Sequence, residues 1–517
     1  MPVQPTYPGV YIEEVPSGVR TITGVATSIT AFIGRALKGP TDEPITITSF
    51  GDFERLFGGL WVDSTMSYAV RDFYLNGGAQ AIIVRIHNGA DAASISLPTA
   101  TTPLLLSATS RGAWGMAISV AVDHNTQDPT ANPVVPSTTK FNLRIYVNGG
   151  LIEQFLNVSL VPTDTRYLVR VLRQSSSLVI VDETAIPAGR PNVAAIPIPA
   201  TAASGDDGAP LLTAQYQGVV ANQTGINALE KTDLFNLLCI PPPTRGNNTP
   251  PAVYTDALAI CVRKRAVLLV DAPNSWGAAI SPTATTNAIA GLNMLGISGT
   301  NARNAALYFP LVNQADALRE GQIDTFVPCG IIAGILSKTD TMRGVWKSPA
   351  GIDAALGGVQ SLQVNLSDLE NGQLNPLGIN CLRSFPVTGR VVWGARTMRG
   401  ADQLADDYKY LAVRRTALFL EESLYRGTQW VVFEPNDEPL WAQIRLNIGA
   451  FMHNLFRQGA FQGTTPKDAY LVKCDKETTT QNDINLGIVN IVVGFAPLKP
   501  AEFVILKIQQ LVGEIEG

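Results

Sequence analysis

Residues 390–510 constrain the fold of this 517-residue chain most strongly, because apolar segments of two different periods alternate there. Short apolar runs at residues 390–397, 469–475 and 487–495 are typical of buried strands. Between the first two runs, the apolar residues from 440 to 456 recur at steps of three, four and one, which marks one face of an α-helix. Strands that alternate with helices predict a mixed α/β layer in which helices pack on a sheet.

Further elements are expected within this stretch. The pattern predicts strands at residues 408–413 and 430–433 and a helix at residues 414–425. A long helix is expected to begin at an Asn436 cap and to end at Gly459, because asparagine suits the first position and glycine the exit. These elements complete a mixed α/β layer with helices packed on a sheet.

A last strand is expected at residues 501–510, almost at the end of the sequence. Its apolar positions are Phe503, Val504, Ile505, Leu506 and Ile508. A terminal strand either completes a sheet of its own chain or adds to the sheet of a neighbouring chain. Both alternatives stay open on the sequence of this segment alone.

The composition describes a folded chain whose partners are proteins. The net charge is −5, charged residues make up 16% and apolar residues 46%, which excludes a disordered chain. Nucleic-acid-binding proteins usually carry excess positive charge, so a partner of that class is not expected. We also expect no membrane insertion, because no apolar run approaches the length that spans a bilayer.

The five cysteines are scattered singly through apolar runs, without a CxxC pair or the spacing of metal ligands. They are interpreted as buried thiols in a reducing compartment, with neither metal nor disulfide expected. The sequence opens without a basic stretch followed by an apolar run, so no signal peptide is expected. From these two features we expect synthesis and folding in the cytoplasm.

Prolines in the first 23 residues forbid a helix and leave an extended segment at residues 7–14. One interpretation is an edge strand of the chain's own domain, and the other is an arm that adds to the sheet of another subunit. The residues that such an arm would use are Tyr7, Gly9, Val10, Tyr11, Ile12 and Glu13. The sequence of this segment alone favours neither interpretation.

The remainder of the chain contains two kinds of sequence, which differ in composition and apolar pattern. Residues 24–90 and 221–388 combine apolar strands with helices, which suits a parallel or mixed sheet. Residues 91–220 are rich in Thr, Ser, Pro and Ala, and they include a hairpin at residues 140–160 around an Asn148–Gly149 turn. This change in composition and apolar pattern predicts a β-rich domain inserted into an α/β body.

Several separate motifs resemble the contractile tail sheath proteins of phages, R-type pyocins and extracellular contractile injection systems. The motifs in the C-terminal part are VVWGART, VFEPND, QGAFQGTTPKDAYLVKCD and PLKPAEFVILKIQQ. Farther upstream, VPCGIIAGILSKTDTMRGVWKSPAG is similar to a second sheath signature, and TYPGVYIEE is similar to the opening of sheath proteins. This last similarity favours the interpretation of the N-terminal segment as an arm.

The resemblance implies a division of the chain into parts. They are an N-terminal arm (1–23), the first part of the α/β body (24–90), an inserted β-rich outer domain (91–220), a middle domain of subtilisin-like fold (221–388), the C-terminal sheath domain (389–510) and a tail (511–517). It also implies a structural subunit that polymerises as stacked, hexameric rings around an inner tube and contracts to drive that tube through a target envelope. Its expected partners are copies of itself, the tube protein, and baseplate and tail terminator or cap proteins, and the assembled particle is its expected location.

A subtilisin-like middle domain requires that a serine hydrolase be considered. Such a triad needs aspartate, histidine and serine in that order. Asp271 is followed by one histidine only, His453, which lies in the helical stretch dense with apolar residues. Asp340 and Asp353 are isolated carboxylates rather than a pair at metal-ligand spacing. No enzyme activity, cofactor or metal is therefore expected.

Two alternatives stay open beside the sheath. A baseplate or shell protein with similar strand exchange would assemble without tubular symmetry, and a hydrolase would react with an acyl-enzyme probe. In a sheath, contact with the tube should be polar and weak so that it can be released. Arg445, Arg457 and Lys476 near the last long helix are the expected tube-facing residues.

Overall fold

The computed structural model describes residues 20–128, 135–278 and 280–507. The chain forms two compact units, which are treated separately below. The body unit comprises Ser28–Lys338 and Pro349–Lys409, and the terminal unit comprises Met1–Thr27, Thr339–Ser348 and Tyr410–Gly517. Both ends of the chain therefore belong to the terminal unit. The arm predicted at residues 7–14 lies outside the described residues.

The described residues form strands with the following bounds in chain order: β1 (Thr30–Gly34), β2 (Pro44–Ile47), β3 (Ala81–Arg85), β4 (Ser94–Leu97), β5 (Leu104–Ala108), β6 (Ile118–Asp123), β7 (Gln127–Asp128), β8 (Val135–Pro136), β9 (Lys140–Val147), β10 (Gly150–Ser159), β11 (Val179–Val181), β12 (Ala194–Pro199), β13 (Leu237–Cys239), β14 (Val267–Asp271), β15 (Ala305–Phe309), β16 (Val312–Asp316), β17 (Gln322–Phe326), β18 (Ser361–Leu362), β19 (Ile379–Phe385), β20 (Gly389–Val392), β21 (Tyr470–Lys473) and β22 (Val492–Phe495).

The α-helices of the described residues have the following bounds: α1 (Phe50–Phe57), α2 (Thr65–Leu75), α3 (Leu168–Ser175), α4 (Thr213–Gln217), α5 (Pro251–Arg263), α6 (Ser281–Gly291), α7 (Cys329–Arg343), α8 (Asp368–Leu374), α9 (Leu411–Gly427), α10 (Glu438–Arg457), α11 (Pro466–Ala469) and α12 (Gln481–Asn485).

The body unit is built on an eight-stranded sheet in the order β2-β3-β1-β13-β14-β15-β19-β20. The six inner strands are parallel, and β2 and β20 join them as antiparallel edges. All residues of β1, β3, β14 and β15 are buried. Continuous burial is expected of parallel strands covered on both faces. The mixed α/β class predicted from the sequence is confirmed.

A β-rich region enters the chain between β3 and β13, two strands of the same large sheet. It contains a four-stranded sheet, β10-β9-β6-β12, and a three-stranded sheet, β11-β5-β4. The two strands of the predicted hairpin, β9 and β10, pair around Asn148 and Gly149, which both have positive φ. This region has its own apolar core, drawn from residues between Ala93 and Ala200.

Helices α2 and α7 cross closely in the body unit because glycine leaves room for backbone contact. A Cβ at Gly330 would lie 2.0 Å from the carbonyl oxygen of Ala69, and one at Gly334 would lie 2.5 Å from that of Phe73. Both contacts are with backbone atoms, which cannot rotate away. The two glycines are therefore required by the approach of the helices.

Gly330→Ala is expected to destabilise the body unit by about 3 kcal/mol, because overpacking against a backbone carbonyl forces the two helices apart. The matched control is Gly372→Ala in α8, where an added Cβ meets no atom within 4 Å. That change should stabilise the chain by roughly 0.5–1 kcal/mol, since alanine favours the helix. Urea unfolding of unassembled protein measures both effects. Equal midpoints for the two variants would contradict the close crossing.

The terminal unit packs α9, α10 and the two-stranded sheet β21-β22 around one apolar core. The buried residues of α10 include Trp441, Ile444, Ile448 and Met452, which follow the helical period predicted from the sequence. Ile22, from the N-terminal end of the described chain, is buried in the same core. The helix predicted at residues 414–425 lies within α9.

Two strands predicted within residues 408–433 are wrong. Residues 411–413 form the first turn of α9 rather than a strand, because a short apolar run also fits one turn of a buried helix. Gln429–Val431 forms a 3₁₀ turn instead of a strand. Trp430 and Val431 pack against the helical core, and no described strand lies beside them.

The N-cap of α10 also differs from the prediction. The cap is Asp437, whose side chain accepts a hydrogen bond from the backbone N–H of Leu440 at 3.2 Å. Asn436 instead accepts from Trp441 Nε1 at 2.9 Å and donates to the carbonyl oxygen of Ile488 at 3.0 Å. Its amide therefore fixes the loop before the helix rather than the helix end.

Candidate assembly interface

The residues considered for a hydrolase do not form a triad. Asp271 Oδ1 accepts a hydrogen bond from the backbone N–H of Cys329 at 3.0 Å, and burial raises the pKa of Asp271 to about 7. His453 lies exposed on α10, with its Nδ1 3.3 Å from Tyr470 Oη. In a triad the aspartate bonds to the histidine and the histidine to the serine, and neither of these contacts is of that kind. His453 lies on the surface of α10.

The start of α2 lies at the crevice in which doubly wound sheets bind ligands. Strand order reverses between β1 and β13, and ligands of such folds sit at the carboxyl ends of the strands at this point. Ser64 Oγ donates to the carbonyl oxygen of Arg35, and Thr65 Oγ1 donates to that of Pro242. Thr65 and Pro242 also line a cavity at this position.

The described residues offer little else for small-molecule chemistry. A cavity of about 150 Å³ is lined by residues including Tyr68 and Arg245, but the Arg245 guanidinium lies over the Tyr68 ring at 4.5 Å and pairs with Asp324 at 2.9 Å. No group of His, Cys, Asp or Glu suited to a metal ion occurs among the described residues. Within the same residues, no helix has both the length and the apolar character needed to cross a bilayer.

The C-terminal segment Phe503–Leu506 is the first feature that points to assembly. Its four apolar side chains are 74–82% exposed. The strand predicted at residues 501–510 is not formed where the chain is described, because residues 501–507 pair with no other strand. Ile508 lies outside the described residues. Four successive apolar residues in water are unfavourable and indicate a surface that is covered by a partner.

The small sheet β21-β22 is the second feature. Its two strands pair with each other from Tyr470↔Phe495 to Lys473↔Val492, and among the described residues the sheet has no third strand. Each strand therefore has an outer edge with backbone groups open to an added strand. One face packs on the terminal core through Val472 and Val493.

The chain that leads to the N-terminal arm is fixed within the terminal unit. The backbone N–H of Arg20 donates to Asn447 Oδ1 at 3.0 Å, and that of Val25 donates to Ser423 Oγ at 3.1 Å. The Arg20 guanidinium lies 4.8 Å from the centre of the Trp430 ring. Residues 1–19 are thus attached to a segment with a defined position. The arm residues Tyr7, Gly9, Val10, Tyr11, Ile12 and Glu13 themselves lie outside the described residues.

A buried ion pair holds the chain that leads to the N-terminal arm in place. The sequence did not indicate this pair. Asp340 and Arg415 are 4% and 3% exposed, and their two bonds measure 2.8 and 2.5 Å. Thr27 Oγ1 donates to Asp340 Oδ2 at 2.6 Å, and Arg415 Nη2 donates to the carbonyl oxygen of Thr27 at 2.9 Å. Three stretches of the terminal unit meet here. In the sequence, the signal for this ion pair was a lone aspartate near the end of the apolar helix α7.

The three residues predicted to face a tube have different surroundings. Arg445 donates to the carbonyl oxygen of Cys474 and to Glu438 Oε1 at 2.6 Å, so part of its bonding capacity is used within the chain. Arg457, in the last turn of α10, and Lys476, after β21, are exposed. The tube contact of all three residues stays a prediction.

Comparison with known proteins gives one family and one curated relative. Residues 404–510 match the family described as the phage tail sheath C-terminal domain. The tail sheath protein of Vibrio phage KVP40 is 27% identical over 250 residues, which are 48% of this chain and 35% of that relative. The aligned part thus spans about a third of the relative's length.

Solved structures extend the similarity over nearly the whole chain. The PVC sheath complex of an extracellular contractile injection system, in the contracted state, gives a TM-score of 0.58 at 21% identity and covers 99% of both chains. A chain of the 6-fold symmetrised anti-feeding prophage baseplate gives 0.55 at 23%, covering 98% of this chain and 100% of that one. At identities below 25%, these structural similarities show the fold alone.

The proteins named in these comparisons are described as a tail sheath, a sheath complex and a baseplate, and none is described as an enzyme. The expectation of a structural protein agrees with them. Residues 404–510 thus match the phage tail sheath C-terminal domain family, and the resemblance of this chain to contractile tail sheath proteins is confirmed.

Proposed function

We propose that this chain is the structural subunit of a contractile tail sheath, in which subunits polymerise as stacked hexameric rings around an inner tube. The observation that carries the proposal is the exposed apolar segment Phe503–Leu506, which belongs to the same unit as a two-stranded sheet with open edges. A donor segment and an acceptor sheet on one chain allow each copy to be joined to the next. The similarity to the PVC sheath complex over 99% of the chain supports the same conclusion.

The joints are formed by strand addition. The N-terminal arm at residues 7–14 and the C-terminal segment pair with the free edges of β21-β22 in neighbouring subunits. Each backbone hydrogen bond contributes about 0.5–1.5 kcal/mol net, so a joint of five residues contributes only a few kcal/mol. The sheath is strong because every subunit makes the same joints with several neighbours.

Contraction requires no cofactor under this proposal. The arms act as hinges while the units they connect move as packed blocks, and the energy comes from contacts that are better in the compact arrangement than in the extended one. The sheath then drives the inner tube through a target envelope. Tube contacts through the half-buried Arg445 and the exposed Arg457 and Lys476 would be polar, which makes them weak enough to release.

The remaining partners follow from the position of a sheath in such a particle. The polymer ends at a baseplate on one side and at a terminator or cap protein on the other. The anti-feeding prophage baseplate contains a chain with this fold, and that structure is 6-fold symmetrised, which supports both the baseplate contact and rings of six. The subunit is a component of the tail or injection particle, which it enters after synthesis in the bacterial cytoplasm.

Removing residues 1–17 is expected to abolish the assembly of cylinders, because every arm joint is lost while the body of the terminal unit is unchanged. Negative-stain microscopy of the full chain should show hollow cylinders with axial striations, and the truncated chain should remain as single subunits. The matched control is Val387→Ser, which changes an apolar side chain that is 95% exposed in the body unit. That variant should still form cylinders.

Two other outcomes would contradict separate parts of the proposal. If the truncated chain forms the same cylinders, the arm is not the joint, although the sheath function stands. If the full chain forms closed shells or stays monomeric under all polymerising conditions, the sheath function itself is wrong. A shell would favour a role elsewhere in the particle.

A further inference from the structure

Two cysteines meet in the core of the body unit, although the sequence scatters all five cysteines singly. Cys239 ends β13 and Cys329 begins α7, and the two residues are 90 positions apart. They are 0% and 2% exposed, and both are free thiols. The Cys239 thiol donates to the carbonyl oxygen of Cys329 at 3.5 Å. The fold therefore brings together two groups that oxidation can join.

Asp271, the last residue of β14, completes this cluster. Its Oδ1 accepts a hydrogen bond from the backbone N–H of Cys329 at 3.0 Å. Burial raises the pKa of the Cys329 thiol well above its ordinary value, and side-chain hydrogen bonds with Cys239 and Asp271 raise it further. Burial raises the pKa of Asp271 to about 7, against hydrogen bonds from Cys329 that lower it. The thiol is thus the donor and the carboxylate the acceptor, which is the arrangement of a base beside a nucleophile.

Two adjoining cavities give a small oxidant a route to this cluster. A cavity of about 20 Å³ borders Asp271, and one of about 150 Å³ lies beside it. Both are lined by Pro242, Asn247, Leu311 and Val327, and Asn247 is exposed at the surface. The smaller cavity has room for one water-sized molecule. Hydrogen peroxide is close to that size, whereas a large oxidant such as glutathione disulfide is not admitted.

We infer that hydrogen peroxide joins Cys239 and Cys329 by a disulfide bond, with Asp271 as the group that accepts the thiol proton of Cys329. This site lies in the body unit, apart from the assembly features of the terminal unit. Formation of the bond does not depend on the proposed function.

The reaction consumes one molecule of peroxide. Cys329 passes its thiol proton to the Asp271 carboxylate, and its sulfur attacks one oxygen of the peroxide. The O–O bond breaks, the departing hydroxide takes the proton from Asp271 as water, and Cys329 becomes a sulfenic acid. The Cys239 sulfur then attacks the Cys329 sulfur, and the S–O bond breaks. The hydroxyl leaves with the Cys239 proton as a second water, so two thiols have lost two electrons to the peroxide.

The bond acts as a slow lock on the body unit. Thiolate is the reactive form of cysteine, and burial raises the pKa of both thiols, so oxidation is gradual. The link closes a long loop and so restricts the unfolded chain. Both residues stay reduced in the cytoplasm, and the bond accumulates after the particle has left the cell. This timing, unlike the chemistry, rests on the proposed function.

Treatment of the full-length chain with hydrogen peroxide at pH 8 tests the bond. The thiols counted with an alkylating reagent in the denatured chain should fall from five to three. Proteolysis without reductant should yield one linked pair of peptides, which contains Cys239 and Cys329 and has lost two hydrogen atoms. The oxidised chain should unfold at a higher urea concentration, and a reductant should reverse that change. Cys381, 0% exposed in β19, is the internal control and should keep its thiol.

We expect at least ten times more linkage between Cys239 and Cys329 than in any pair of peptides that includes Cys381. Equal loss of all five thiols would overturn the site, because an unfolding chain reacts in that way. Survival of all the thiols, or oxidation of Cys329 without linkage to Cys239, would overturn it as well. None of these outcomes bears on the sheath function, since assembly is not measured.

Asp271→Asn distinguishes a proton acceptor from a structural residue. In the parent chain the rate of linkage should rise around pH 7, as the carboxylate ionises. The variant should lose this rise and react at least tenfold more slowly at pH 8, because asparagine accepts a hydrogen bond but no proton. Cys239 and Tyr254 also interact with Asp271, and burial is the main cause that raises the pKa of each. A rate lowered by the same factor at every pH would overturn the role of Asp271.

Discussion

Replacing Asp340 with alanine is expected to destabilise the terminal unit by about 3–5 kcal/mol, the typical cost of removing one partner of a buried ion pair. Asp340 and Arg415 are almost completely buried, and their bonds are bidentate. Without the carboxylate, the Arg415 guanidinium stays in the interior with the carbonyl oxygen of Thr27 as a remaining acceptor. A buried charge without its counterion is costly because the protein interior solvates it poorly.

The expected loss is also local. Thr27 bonds to both members of the pair, so the chain that precedes it loses one of its attachments when the pair is broken. We therefore expect proteolytic cleavage near residues 20–27 to accelerate in Asp340→Ala before global unfolding occurs. Limited proteolysis and urea unfolding of the unassembled chain measure the two effects.

Two variants control this experiment. Glu477→Ala removes one partner of the Lys473–Glu477 pair, whose side chains are 47% and 81% exposed, and should leave the unfolding midpoint unchanged. The double variant Asp340→Leu/Arg415→Met replaces the pair with apolar side chains and should recover at least half of the loss, because no charge is then left buried. Equal midpoints for Asp340→Ala and the parent chain would mean that the pair contributes nothing.

Asp271→Asn is expected to stabilise the body unit at pH 8 by up to about 4 kcal/mol, since each unit of pKa shift corresponds to about 1.4 kcal/mol. Burial raises the pKa of this carboxyl from 3.8 to about 7, so the folded chain must bury a charge there once the pH exceeds that value. Asparagine keeps an oxygen that accepts from the N–H of Cys329 and carries no charge.

The sign of the pH dependence follows from linkage. Below about pH 4 the carboxyl is protonated in both the folded and the unfolded chain, and its ionisation costs nothing. Between about pH 4 and 7 the unfolded chain releases the proton while the folded chain retains it, so the free energy of unfolding falls as the pH rises. Above the folded pKa of about 7 both states are ionised and the penalty is constant.

The difference in unfolding free energy between Asp271→Asn and the parent chain isolates this group from the other titrating residues. It should be smallest near pH 4 and should increase until about pH 7. Asp353→Asn, at an exposed position of the body unit, serves as the control for the substitution itself. A constant difference between the Asp271 variant and the parent across the pH range would contradict the raised pKa.

The sequence by itself determined the elements whose burial is continuous. The apolar runs that became β14 and β15 and the apolar face of α10 are local patterns, and their length and period are enough to identify them. The Asn148–Gly149 turn is equally local, because both residues tolerate positive φ. The sheath motifs also lie within contiguous stretches, so the family resemblance was visible without the fold.

The tertiary structure decided whatever depends on a partner distant in sequence. Asp340 and Arg415 are 75 positions apart, and no local pattern predicts that they meet. Residues 430–433 have strand-like composition, yet a strand needs a neighbour and the folded chain places a helical core there instead. Phe503–Leu506 are exposed for the same reason. Their apolar pattern is visible in the sequence, but the described part of this chain contains no strand that pairs with them.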